Sequence, residues 1–368
     1  MTRRGWSIWL GLWLTMAVAG WPAMVGGQTT ASGAFKLAPT GREVAIIRPH
    51  PWSGWYWPWA RVPMAKVLAK YDTFVARRTG RNPGAAAWER KHHRGGEEWS
   101  GHCNGWAAAA VLEPEPRAPR TVDGMTFTVG EQKGLLSELY MDCYHQFYGT
   151  RCYSSKSDPD ILPHHFHRLL LEYMKERQVP IVIDADAGSP VWNYPAYAFE
   201  TTWTTDARRG KADVTTKLYL ADDNVNADFL GTKGLIKTYR YTLDLNAAGE
   251  VIGGAWARGT GKNHPDFVWV PTANSPPAGW QNPAVEEAMV RAIVGSPAPT
   301  PPSPPSPPSS PPPPPAPPPA SSPAGVASLS RMVMAGEPAG VAAGAVEAYD
   351  AVLQEAGLDP AALFATEP

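Results

Sequence analysis

The chain has 368 residues and a formal net charge of -1, with 40 prolines, 16 tryptophans and 3 cysteines. A charge this close to neutral gives no basis for binding nucleic acid or an anionic membrane, so we predict no nucleic-acid partner. The prolines cluster in one tract near the C-terminus, and the part before that tract is long enough for one large domain or two small ones.

The first segment, residues 1–27, has the composition of a secretory signal peptide. A basic start, Arg3-Arg4, precedes an apolar run from Trp6 to Ala19 that ends in small residues suited to cleavage. The run is short for a membrane span, and an uncleaved N-terminal anchor is the alternative. We therefore predict a protein that is secreted, periplasmic or held in the cell envelope.

Residues 28–51 are predicted to be a loosely ordered lead-in, and a dense aromatic cluster follows at 52–59. Buried aromatic side chains bring a large apolar area, so this cluster is either a belt packed across the domain or a wall of a substrate cleft. Apolar residues at helical spacing predict a helix over 64–78. The adjacent His92 and His93 lack a third ligand at metal-site spacing, so we predict a solvated basic loop and no metal site.

The stretch from Trp99 to Trp106 reads Trp-Ser-Gly-His-Cys-Asn-Gly-Trp and leads directly into four alanines. The alanines predict a buried helix with Cys103 at or just before its first residue. The free N–H groups and the macrodipole at that end favour an anion, so we predict a lowered pKa for the Cys103 thiol. Gly101 and Gly105 are expected to leave room for a substrate carbonyl. An inert core cysteine is the alternative.

Export changes what the three cysteines indicate. Cys143 and Cys152 flank a short segment that we expect to close as a small loop, and we predict a disulfide between them. Cys103 is then the odd cysteine, which in a secreted protein indicates an intermolecular bridge or a reactive thiol. Its setting between glycines favours the reactive thiol.

The pattern changes from helical to strand-like in the second half of the chain. Helices are predicted over 131–148 and 163–178, the second with surface histidines in its first turn, and over 286–294. Strands are predicted over 181–183, 191–204, 215–221, 236–245, 251–257 and 267–271. Helices followed by consecutive strands predict an α+β catalytic domain over 52–295 with a mostly antiparallel sheet.

A cysteine nucleophile needs a base, and in such folds the base is a histidine near a strand end. After the helix over 163–178 the sequence contains one histidine, His264, which makes it the candidate by elimination. The nearest carboxylate that can orient its imidazole is Asp266, and Asp184, Asp186 and Asn193 are alternatives. An ordinary loop histidine is the other interpretation of His264.

The end of the chain is compositionally different. Residues 296–323 are almost entirely proline and serine, which cannot form a packed core and favour an extended polyproline II linker. Residues 324–368 are predicted to be a small alanine-rich helical segment whose function the sequence does not indicate.

Several motifs in this chain point to one family. They are the Trp-x-Gly-x-Cys-Asn-Gly-Trp-Ala stretch around Cys103, the segment Val191-Trp192-Asn193-Tyr194-Pro195, and the late stretches 253–256 and 264–269. The first resembles the nucleophile motif, and the second the elicitor peptide, of the transglutaminase elicitor family of oomycete cell-wall transglutaminases and bacterial homologues. The resemblance covers roughly Trp52 to Pro271.

The resemblance implies a papain-like, transglutaminase-like fold in which N-terminal helices carry the nucleophile and an antiparallel sheet follows. It implies protein-glutamine γ-glutamyltransferase activity, with Cys103 as the nucleophile and His264 as the base. The products would be isopeptide links between glutamine and lysine or another amine, formed through a cysteine thioester. Trp99, Trp106 and Trp192 are predicted to wall the substrate site and exclude water from the thioester.

Two alternatives remain open at this point. One is a secreted papain-like cysteine protease or glutamine deamidase, and the other is a non-catalytic binding protein of the cell envelope. No cofactor is certain. Calcium is the candidate, because some transglutaminases use it and the acidic pairs Asp158/Asp160, Asp184/Asp186 and Asp222/Asp223 offer oxygens. We expect a monomer that meets proteins with accessible glutamine and lysine side chains.

Overall fold

Helices precede strands in the structure, a computed structural model that describes residues 35–151, 160–188, 190–259, 261–275, 279 and 281–295. The helices are α1 (Met64–Thr79), α2 (Ala85–His92), α3 (Cys103–Leu112), α4 (Val129–Leu139), α5 (Pro163–Leu169) with a π-helical continuation (Leu170–Glu176), and α6 (Glu287–Val294). The strands are β1 (Thr40–Ile46), β2 (Arg120–Val122), β3 (Met125–Phe127), β4 (Tyr144–Gly149), β5 (Ile181–Asp184), β6 (Asn193–Asp206), β7 (Lys211–Ala221), β8 (Gly234–Leu245), β9 (Val251–Trp256) and β10 (Phe267–Ala273).

One large antiparallel sheet organises the described residues. Its strand order is β4-β10-β5-β6-β7-β8-β9, and β1 pairs with the later part of β6. The last strand in sequence, β10, is thus inserted between β4 and β5. The predicted α+β class, with helices followed by a mostly antiparallel sheet, is confirmed.

Helices cover both faces of this sheet. On one face, the Trp269 indole bonds to Asn193, and α3 packs on the strands that carry these two residues. Tyr148 pairs with Val268, the neighbour of Trp269, so its side chain points to the opposite face. There its hydroxyl lies 2.7 Å from that of Tyr173, in the continuation of α5. The two helices α3 and α5 therefore lie on opposite faces.

Two predicted elements need correction. Part of the lead-in, predicted to be loosely ordered, is strand β1, because β6 extends past its partner β5 and β1 covers the edge left open there. The helix predicted over 131–148 ends at Leu139, because the aromatic residues that follow form β4 and pair with β10.

Several predictions fall on residues outside the described ranges. They are the signal peptide at 1–27, the linker at 296–323 and the C-terminal segment at 324–368, and all three stay predictions. Within the part of the chain that the structure describes, no helix has both the length and the apolar character that crossing a membrane requires.

Candidate functional site

Cys103 is the first residue of α3, as the alanine run predicts. Its side chain is buried against the start of β6, where Asn193 Nδ2 lies 3.4 Å from the cysteine Sγ. The Trp269 indole N–H donates to Asn193 Oδ1 at 2.8 Å. Because an indole nitrogen can only donate, this bond fixes the amide so that its NH₂ group faces the sulfur. The site thus has a sulfur, an amide donor and a tryptophan that orients the amide.

The aromatic cluster at 52–59 holds the loop that presents Cys103. Backbone N–H of His102 donates to the Tyr56 carbonyl at 2.6 Å, and His102 Nδ1 lies 3.0 Å from the Trp57 carbonyl. The Trp59 N–H donates to the Ser100 carbonyl at 2.7 Å. These contacts favour the belt interpretation of the cluster over the cleft wall.

Glycines beside Cys103 serve backbone packing rather than substrate access, contrary to the prediction. A Cβ atom at Gly101 would lie 2.4 Å from the Tyr56 carbonyl oxygen, inside contact distance. One at Gly105 would lie 2.0 Å from the Ser137 carbonyl oxygen of α4. Both positions require glycine because another chain segment passes against them.

Electrostatics at the thiol also differ from the prediction. Burial raises the pKa of Cys103 to about 11, the Asn193 hydrogen bond opposes this shift, and the charges of Asp223 and Asp184 add to it. The predicted lowering of this pKa is therefore wrong, because desolvation of the thiolate outweighs the helix N-terminus.

Two buried carboxyl groups accompany the thiol. Asp184 ends β5, its Oδ1 accepts the Trp192 N–H at 2.8 Å, and burial raises its pKa well above the ordinary range. Burial and the neighbouring Asp222 raise the pKa of Asp223 to about 8, although hydrogen bonds, including one from the Tyr194 hydroxyl, act in the opposite direction. Sequence reasoning missed Asp223 at this site, because only the pairing of β6 with β7 brings it near Cys103.

His264, the predicted base, lies elsewhere. Its ring stacks on Trp256 with centroids 5.2 Å apart, and Trp256 packs against Phe166 of α5. His264 is therefore on the α5 face, whereas Cys103 is on the α3 face. The predicted pair of Cys103 and His264 is not formed in this structure, because the loop before β10 starts from the far edge strand β9 on the α5 side.

Asp266 does not orient the imidazole in the predicted way. His264 Nε2 lies 2.8 Å from Asp160 Oδ2, so Asp160 takes that place. Asp266 is fully buried, and its carbonyl accepts the Ile161 N–H at 2.8 Å. Its position at the start of β10 serves the fold.

The three tryptophans predicted as walls have different surroundings. Trp106 is fully buried, and a Cβ atom at Gly54 would lie 2.3 Å from its ring, so it is a core residue and not a wall. Trp99 and Trp192 are half-buried, and Trp192 stacks on Tyr194 beside Asn193. The role of Trp99 and Trp192 as walls stays a prediction.

The predicted disulfide is not seen. Cys143 is a free buried thiol, and Cys152 lies outside the described residues. The segment between them does not close as a loop, because 144–149 form the extended strand β4.

Beneath Cys103 lies a group of four buried ionisable residues, here called the Glu–His cluster: Glu89, His93, His102 and Glu138. All four side chains are fully buried, so the predicted solvated loop is wrong for His93, although His92 is exposed. Burial lowers the pKa of His102, but Glu138 and Glu89 outweigh burial and raise it. The four-residue spacing of Glu89 on α2 and His93 directly after it was the sequence signal for this group.

In each acidic pair considered for calcium, one carboxylate has a basic partner, whereas Asp184 and Asp223 are the buried carboxyl groups described above. Asp222 pairs with Lys233 at 2.7 Å, Asp186 pairs with Lys237, and Asp160 pairs with His264. Asp158 lies outside the described residues. Calcium dependence stays a prediction.

A cysteine at the start of a helix, packed with its amide partner on an antiparallel sheet, places the chain among α+β proteins of the transglutaminase-like class. The sequence matches the family described as transglutaminase elicitor over residues 90–227 and 224–286, and the chain belongs to this family. The predicted family is confirmed.

One solved structure shows the same fold. It is the crystal structure of the GP42 transglutaminase from Phytophthora sojae, with a TM-score of 0.55 and 22% sequence identity over 68% of this chain and 90% of that chain. Among curated proteins, no match to the sequence was found.

Proposed function

We propose that this protein transfers the acyl group of a glutamine side chain to a primary amine through a thioester on Cys103. The observation that carries the proposal is the Asn193 amide, 3.4 Å from Cys103 Sγ and oriented by Trp269. Membership of the transglutaminase elicitor family supports it. The expected substrates are proteins with accessible glutamine and lysine side chains, met outside the cytoplasm.

In the first step, Cys103 sulfur attacks the carboxamide carbon, the C–N bond breaks, and the nitrogen leaves as ammonia after taking up the thiol proton. Backbone N–H groups in the first turn of α3 have no intrahelical partner and are available for the oxyanion. In the second step, a primary amine attacks the thioester, the isopeptide bond forms, and the thiol is regenerated.

The proton leaving Cys103 needs an acceptor, and the α3 face offers Asp223. Its charge acts on Cys103, and the Tyr194 hydroxyl hydrogen-bonds its carboxyl group. Because the pKa of Asp223 is about 8, its carboxyl group accepts the thiol proton only when ionised and then passes it to the leaving nitrogen, so amine incorporation should rise as the pH passes 8. We propose Asp223 for this role instead of His264.

The test is incorporation of a labelled primary amine into a glutamine-rich protein, with Cys103→Ala compared with Cys143→Ala. Both cysteines are free and equally buried, which makes Cys143→Ala the matched control. We expect label with the wild type and with Cys143→Ala and none with Cys103→Ala. Ammonia release without amine incorporation would indicate a deamidase instead.

The burial of Cys103 favours a second candidate, a non-catalytic binding protein. Its thiol is only 8% exposed and has a pKa of about 11, conditions typical of an inert cysteine. This candidate predicts that alkylation at neutral pH modifies Cys103 no faster than Cys143, and that Cys103→Ala leaves every binding property unchanged.

A further inference from the structure

We propose that the Glu–His cluster is a binding site for one divalent first-row transition-metal ion, with Zn²⁺ the best fit. Its four residues come from three places in the chain: α2 and the residue after it, the residue before Cys103, and α4. Each offers one ligand atom, and these atoms lie within 4.8 Å of one another. The cluster lies beside the site proposed above and is not part of its chemistry.

The ligand atoms lie both closer together and farther apart than they would around a bound ion, up to 4.8 Å at most. His102 Nε2 lies 2.9 Å from Glu138 Oε2 and 3.5 Å from Glu89 Oε1, and His93 Nδ1 lies 2.7 Å from Glu89 Oε2. Ligand atoms about 2.0–2.2 Å from a tetrahedral Zn²⁺ lie about 3.3–3.6 Å from one another. Small side-chain rotations therefore bring one atom of each residue into place.

Unsatisfied carboxylate oxygens are the strongest argument for an ion. Both Glu138 oxygens and Glu89 Oε1 are buried and have no hydrogen-bond partner among the described residues. His102 Nε2 forms ion pairs with one oxygen of each carboxylate, and a single imidazolium balances only one of the two negative charges. Burying two carboxylates side by side is costly, whereas a divalent cation carries the charge needed to balance both.

The environment of His102 also suits a ligand. Its Nδ1–H donates to the Trp57 carbonyl at 3.0 Å, so Nε2 is the ring nitrogen directed into the cluster, where a metal ion would replace the proton that the two carboxylates favour. Metal-binding histidines are commonly fixed by such a bond on the other ring nitrogen. Two imidazoles and two carboxylates suit Zn²⁺, whereas Ca²⁺ takes six to eight oxygens.

An ion here would position the nucleophile. It would join α2, the loop before α3 and α4, and His102 is bonded through the backbone to Cys103. We assign the four residues a positioning role, since none contacts the sulfur through a recorded bond.

The test is the metal content of the full chain, measured by inductively coupled plasma mass spectrometry after growth with zinc, together with zinc titration of chelator-treated protein. We expect about one Zn²⁺ per chain, and Glu138→Gln should weaken zinc binding at least about tenfold. His92→Ala is the matched control, because His92 neighbours His93 but is exposed, and it should bind zinc like the wild type.

Cobalt keeps the proposal testable if Glu138→Gln fails to fold. Wild-type protein with Co²⁺ in place of Zn²⁺ should show the intense visible absorption of a four-coordinate site, and excess Zn²⁺ should abolish it. A wild-type chain that contains no stoichiometric metal and binds neither ion would overturn the proposal. None of these readouts depends on transferase activity, so failure of the proposed function is distinguished from failure of the metal site.

Discussion

Buried charge is handled differently at the two ends of α3. At its C-terminal end, Glu113 forms an ion pair with Arg291 Nη1 at 2.6 Å and accepts a hydrogen bond from the Tyr140 hydroxyl. Arg291 Nη2 donates a hydrogen bond to the same hydroxyl at 3.1 Å. We call these three residues the Glu113 cluster. At the N-terminal end, the Glu–His cluster buries two carboxylates, and three of their oxygens lack a hydrogen bond.

The difference shows at which end groups of the protein itself balance the charge of the buried carboxylates. A guanidinium and a phenol pair with Glu113, so the carboxylate at the C-terminal end has its counter-charge within the protein, although Arg291 Nη1 itself has no hydrogen bond among the described residues. At the N-terminal end two carboxylates share the imidazoles of His93 and His102, and three carboxylate oxygens have no hydrogen bond within the described part of the chain, which favours a bound cation. Cys103 is the first residue at the N-terminal end of α3. Its position therefore depends on how the charge of the Glu–His cluster is balanced.

The largest expected loss of stability comes from removing the Glu113–Arg291 ion pair at the C-terminal end of α3. Arg291→Met leaves the Glu113 carboxylate buried without its cation, and we expect it to lower the free energy of unfolding by about 3–5 kcal/mol. Urea denaturation measures this loss. Adding Glu113→Gln should recover part of the stability, and zinc content should not change. A loss below about 1 kcal/mol would show that solvent already stabilises Glu113.

A third buried group sharpens the comparison, because it carries no counter-charge. His167 on α5 lies 2.8 Å from the Tyr241 hydroxyl, and burial lowers the pKa of His167 to about 4. Between pH 6.5 and pH 4, His167 binds a proton in the unfolded chain but not in the folded chain. The free energy of unfolding therefore falls as the pH falls through this range. We expect His167 to contribute about 3 kcal/mol of this loss.

Comparison with His167→Gln measures that contribution, because glutamine keeps a hydrogen bond to Tyr241 without titrating. Urea denaturation at pH 7 and pH 4.5 should show a smaller loss in the variant. Parallel losses in the two proteins would mean that His167 is protonated when folded.

If the Glu–His cluster binds a metal ion, the free energy of unfolding should depend on that ion. Removing zinc with a chelator should lower the free energy of unfolding by about 2.7 kcal/mol relative to protein at a free zinc concentration about 100 times its dissociation constant. Differential scanning calorimetry checks this loss. At the same zinc concentration the loss in Glu138→Gln should be about 1.4 kcal/mol or less, and in Arg291→Met it should equal that of the wild type.

The smallest expected effect concerns the amide beside the sulfur. Asn193→Ala removes one hydrogen bond to Cys103, and we expect kcat for amine incorporation to fall about tenfold, or about 1.4 kcal/mol. His264→Ala, on the other face of the sheet, should leave kcat near the wild-type value. The reverse order of effects would restore His264 as the base.

Local patterns in the sequence predicted much of this architecture. The alanines after Cys103 predicted α3, and alternating residues predicted β6 to β10, because both patterns depend on neighbours a few positions apart. The same alanine run placed Cys103 correctly at the start of that helix.

What the sequence could not show depends on contacts between distant residues. Elimination selected His264, but the insertion of β10 between β4 and β5 places its preceding loop on the α5 side. The raised pKa of Cys103 results from burial under other segments, and Glu138 joins Glu89 only when α4 packs beside α2 and α3. No local pattern carries that information.

The most direct test of the account is to trap the acyl-enzyme. Wild-type protein is incubated with a glutamine-donor peptide in the absence of amine, quenched in acid, and its intact mass is measured. The account predicts a mass increase equal to the peptide less one molecule of ammonia, located on Cys103 by proteolytic mapping and absent from Cys103→Ala. An unmodified Cys103 in protein that retains zinc, or an adduct on another residue, would contradict it.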